Sequence, residues 1–143
     1  MISAEVLAEL TSRINTIEEA YEYMLAYASQ GLSSDQGTDT GRQAREFLGR
    51  CNTALSGFGG FLNDVTERLG LEPAAPYRTF IAVIDRDARD AQAAVELVLA
   101  QPAISSQLVD NLNASIHLRA LLTDLFLIDE IVRPEAAADI AHT

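Results

Sequence analysis

Apolar residues recur along this chain at alternating intervals of three and four, the pattern of helices with one face turned inward. The first run is Leu7, Leu10, Ile14, Ile17, Tyr21, Met24 and Ala28. It predicts a helix over residues 4–30, opened by Ser3 as N-cap, with Glu5 in the first turn where the helix dipole favours a carboxylate. A second run extends from Ala44 through Leu48, Cys51, Leu55, Phe58, Leu62 and Val65 to Leu69. It predicts a helix over 41–69, with Thr40 and Gln43 at capping-box spacing and Gly70 as the stop. The third run, from Tyr77 to Val98, predicts a helix over 76–101 that starts at Pro76. The fourth helix is expected over 103–133, between Pro102 and Pro134.

Four helices of similar length predict an all-α fold, an up-down-up-down four-helix bundle with long antiparallel helices, occupying residues 1–133. Residues 31–39, GLSSDQGTD, are expected to form a mobile connector, and residues 134–143 a flexible C-terminal tail.

Two stretches depart from a simple inward stripe. Gly57, Gly59 and Gly60 fall in mid-helix and cost on the order of 2–3 kcal/mol of helix propensity. Either another helix approaches closely on the side of Gly57, Gly60 and Phe61, or the helix kinks there. The last helix is apolar nearly all round. At about 100° per residue, Leu118, Leu122 and Phe126 share one face. Leu121, Leu125, Ile128 and Val132 share a second, while Leu127 and Ile131 point elsewhere. A membrane span needs roughly 20 unbroken apolar residues. Arg119, Asp124, Asp129 and Glu130 interrupt this run, so no membrane is expected. The expectation is a helix covered by its own bundle on one side and by a second chain on the other. The predicted interface is Leu121, Leu125, Ile128 and Val132, with Phe47, Ala54, Gly57 and Phe61 as a second patch.

Charge narrows the partners. The 143 residues carry 21 acidic and 10 basic side chains, a net −11, which argues against nucleic acid or an anionic membrane as the bound surface. Cys51 is the only cysteine, so no internal disulfide can form. The first residues lack the basic and apolar regions of a secretory signal, and a cytoplasmic location is expected.

Candidate chemistry is sparse. Neither His117 nor His142 follows a glutamate by three, so the Glu-x-x-His pairs of di-iron bundles are missing. Covalent haem needs a Cys-x-x-Cys-His run, and no cofactor or metal is expected. Glu18, Glu19 and Glu22 form E-E-x-x-E, which resembles the magnesium-binding helix of all-α nucleoside triphosphate pyrophosphatases. The resemblance implies a magnesium-dependent nucleotide hydrolase. That family also requires E-x-x-D soon afterwards, whereas the nearest acidic pair here, Asp87 and Asp90, lies far downstream. His117 lacks the lysine and glycine that follow the histidine of phosphotransfer domains; Ala120 and Leu121 stand there instead. Asn111, Ser115 and Arg119 share an inward arc of the fourth helix, level with Ala88 and Ala91. An arginine beside small residues could hold an anionic small ligand, which gives a sensor or carrier as the alternative. The leading expectation is a non-catalytic helical protein working through protein contacts, as a homodimer or a subunit of a larger assembly.

Overall fold

The computed structural model describes residues 2–142, which form six α-helices and no strand. They are α1 (Ala4–Ala28), α2 (Asp39–Leu55), α3 (Phe58–Leu69), α4 (Ala74–Leu99), α5 (Ser106–Ala114) and α6 (His117–Ala141). The all-α class follows the sequence. The expected number of helices does not, because two of the four long segments are broken.

The first break is at Ser56 and Gly57. Gly57 has φ 66°, a left-handed conformation open to glycine at little cost, and it stands as the N-cap of α3. The neighbouring Gly59 serves a different need. A Cβ there would run into the side chain of Asp85 on α4, so the close approach that the glycine cluster suggested occurs at Gly59. The second break is at Ser115 and Ile116. Ile116 is the one non-glycine residue among those described with positive φ, at 63°. Only the Asn- and Ser-rich run Asn111 to Ser115 hints at it; such side chains compete with the helix for backbone groups.

The final helix runs through Pro134 to Ala141, where a tail was expected. Proline removes one backbone donor and crowds the preceding turn. Packing offsets this. Ala136 is fully buried, Ile140 packs on the core, and Asp139 Oδ2 accepts the backbone N–H of Ile2 at 2.7 Å. Both ends of the described chain are thereby tied together.

Helix α1 packs against α2, α5 and α6, and α4 against α2, α3 and α6. The inward seams read from the sequence form one core that includes Leu10, Ile17, Met24, Leu48, Ile81 and Leu121. Residues 31–38 are held rather than loose. Asp35 is almost wholly buried and accepts the Ile104 N–H at 2.6 Å and the Arg45 Nε–H at 2.9 Å. Arg45 also donates to the carbonyls of Leu99 and Gln101. Ser106 Oγ accepts from Leu32 N and donates to the Tyr27 carbonyl, and the Tyr27 hydroxyl donates to Ile104 O. One carboxylate thus clamps the α1–α2 connection onto the chain between α4 and α5. Burial alone would raise the Asp35 pKa, but the hydrogen bonds from Arg45 and Ile104 outweigh it and hold the carboxyl below its ordinary 3.8.

Candidate functional site

Helix α6 carries the apolar surplus that the sequence showed, but on different residues. Leu121, Leu125, Ile128 and Val132 are 0%, 0%, 3% and 0% exposed within the single chain. They are core, packed against the other helices of the same molecule, so no second chain is needed to cover them. The residues left outside are Leu127 and Ile131, at 55% and 44% exposure, with Phe126 at 49% round the helix.

The physical reason is angular. Helices α1 and α4 flank α6, and between them they cover an arc wide enough for Leu118, Leu122 and the whole Leu121–Val132 row. What remains uncovered is the opposite arc. Along it lie Ala120, Thr123, Leu127, Ile131, Pro134 and Ala138, at the same three-and-four spacing as a core seam. Thr123, Leu127, Ile131, Pro134 and Ala138 are exposed and Ala120 is half-buried.

Helix α4 widens this face. Between its N-terminal half and α6 runs a groove of about 310 Å³, walled by Pro76, Tyr77 and Phe80 on one side and Leu127, Ile128 and Ile131 on the other. Val83, one turn on from Phe80, is also exposed. Farther along the same helix pair sit two carboxyls, Asp87 on α4 and Asp124 on α6. Burial, and then the neighbouring Asp87, push Asp124 up to about 7. Two bare carboxylates have no hydrogen to share, and Asp124 Oδ2 is buried without a donor. A single proton held by Asp124 relieves both the repulsion and the missing bond. No local pattern signals this pair, since residues 37 apart meet only through the pairing of α4 with α6.

The second predicted patch is partly closed. Phe47 stacks on Tyr23 at 4.5 Å between ring centres, and the Arg50 guanidinium covers its other side at 4.6 Å. Phe61 meets Phe58 edge-on at 6.2 Å and lies under Arg13 at 4.6 Å. Ala54 is buried, and Gly57 is exposed at the helix break. Arginines over both rings make this a finished surface of mixed polarity.

The three residues proposed for an anionic ligand do not gather around a cavity. Arg119 and Asn111 are exposed, Asn111 accepts from Gln107 Nε2, and Ser115 caps α5 by donating to the Leu112 carbonyl. The break at Ile116 separates Asn111 and Ser115 from Arg119 and undoes the shared arc that a continuous helix would have given. Glu19 and Glu22 are exposed and Glu18 half-buried. Among the described residues no three of His, Cys, Asp or Glu come together as a metal-binding group. Met24 is fully buried in the core. No described helix is long and apolar enough to cross a membrane. Comparison of the chain with family models, with curated proteins and with solved structures finds no match.

Proposed function

We propose that this protein is a non-catalytic helical module that acts through protein contacts, and that the outer face of α4 and α6 is its contact surface. One observation carries the reading: Leu127 and Ile131 stand half-exposed beside Tyr77 and Phe80 along an apolar groove, on a chain whose core is already complete without them. Solvent-facing apolar residues scattered singly are ordinary, but a row of them beside a groove marks a surface that is covered in use.

In this reading the six helices serve as four legs running up, down, up and down. The α2–α3 and α5–α6 pairs each act as one interrupted leg, which the pairwise packing of α1 and α4 with their neighbours supports. The rigid bundle presents the face without rearrangement. A cytoplasmic setting accords with the single cysteine, Cys51, kept as a buried thiol.

The test is site-specific photo-crosslinking in the cells that make the protein. A photoreactive residue at Leu127 should give a discrete covalent adduct with a protein, and one at exposed Arg89 should not. No adduct at Leu127, or equal labelling at both sites, would overturn the proposal.

A further inference from the structure

We draw no further inference here: the strongest candidate, the apolar groove of about 310 Å³ between the N-terminal half of α4 and α6, belongs to the contact surface already proposed, and nothing in the structure shows what covers it.

Discussion

Asp124 on α6 lies against Asp87 on α4, and burial together with that neighbour lifts the Asp124 carboxyl from its ordinary 3.8 to about 7. The folded chain therefore holds a proton between about pH 4 and pH 7 that the unfolded chain has released. Where the folded state binds more protons, stability falls as pH rises. The pair should thus cost stability progressively through that window and carry its full cost above it. Asparagine imitates the protonated acid and can donate to Asp87 at any pH. Asp124→Asn should raise the melting temperature at pH 8 by about 3 °C, the shift that roughly 1 kcal/mol makes in a chain of this size. Solvent on the open side of the pair keeps the figure small. The gain should shrink at pH 4.5. Circular dichroism melts at the two pH values check this, and a pH-independent difference would show that no proton is shared.

Asp35 works in the opposite sense. Its folded pKa is depressed, so its stabilisation is present above the unfolded value near 3.8 and is lost as pH falls through the lower folded value. Asp35→Ala would leave the Ile104 N–H buried without an acceptor and Arg45 without its carboxylate. The expected cost is about 1–3 kcal/mol, measured by urea unfolding at pH 7. Amide exchange should quicken first at Leu32, Ile104 and Ser106, where the connection is pinned. Unchanged exchange at those amides would mean that the clamp contributes nothing.

A related prediction separates two glycines of α2. A Cβ on Gly41 would overlap the backbone of Asp35, which cannot move without breaking the same clamp. Gly41→Ala should cost about 1–3 kcal/mol through overpacking. Gly49 has open space around its Cβ position, so Gly49→Ala should stabilise by about 0.5–1 kcal/mol through helix propensity. Chemical denaturation of the two variants side by side gives opposite signs if the close approach is real.

The inward seams were legible because three-and-four spacing is a property of the sequence alone. Leu10, Ile17, Leu48 and Ile84 all lie in the core where that spacing puts them. The N-cap at Ser3 was legible too, its hydroxyl accepting the Val6 N–H. What failed depended on relations between helices. From the wheel alone, α6 is apolar nearly all round, and only the positions of its neighbours decide that Leu118, Leu122 and the Leu121–Val132 row are covered while Leu127 and Ile131 are not. Leu121 and Leu125 belong to the longer apolar row, and the longer row is the one the core claims. Residues 31–39 read as mobile from their small polar composition, yet Ser106 Oγ accepts the Leu32 N–H and Asp35 accepts the Ile104 N–H, bonds between residues some 70 positions apart. No local pattern announces such a clamp. The break at Ile116 lacks the glycine that signalled the break at Gly57.

Ile116 offers a direct measure of backbone strain. A β-branched residue at φ 63° is disfavoured by roughly 1–2 kcal/mol relative to the right-handed region, whereas glycine is at ease there. The side chain is 51% exposed, so its removal gives up little packing. Ile116→Gly should raise stability by about 1 kcal/mol, seen as a higher midpoint in urea. Ile116→Ala keeps a Cβ and should recover less. A destabilised glycine variant would show that α5 and α6 join in another conformation in solution.

Leu125 and Leu127, two residues apart on α6, provide the sharpest contrast between core and surface. Leu125 is wholly buried among the bundle helices, whereas Leu127 is 55% exposed on the opposite arc. Leu125→Ala opens a cavity and should lower stability by about 2–5 kcal/mol. Leu127→Ala removes a half-exposed side chain and should change monomer stability by no more than about 0.5 kcal/mol, the range of ordinary surface substitutions. Unfolding must be followed at a concentration low enough to dissociate any pair, because association would add its own stabilisation to the wild type. Equal losses for the two variants in the dilute sample would mean that α6 is rotated from the orientation described, and that the outward row is not outward at all.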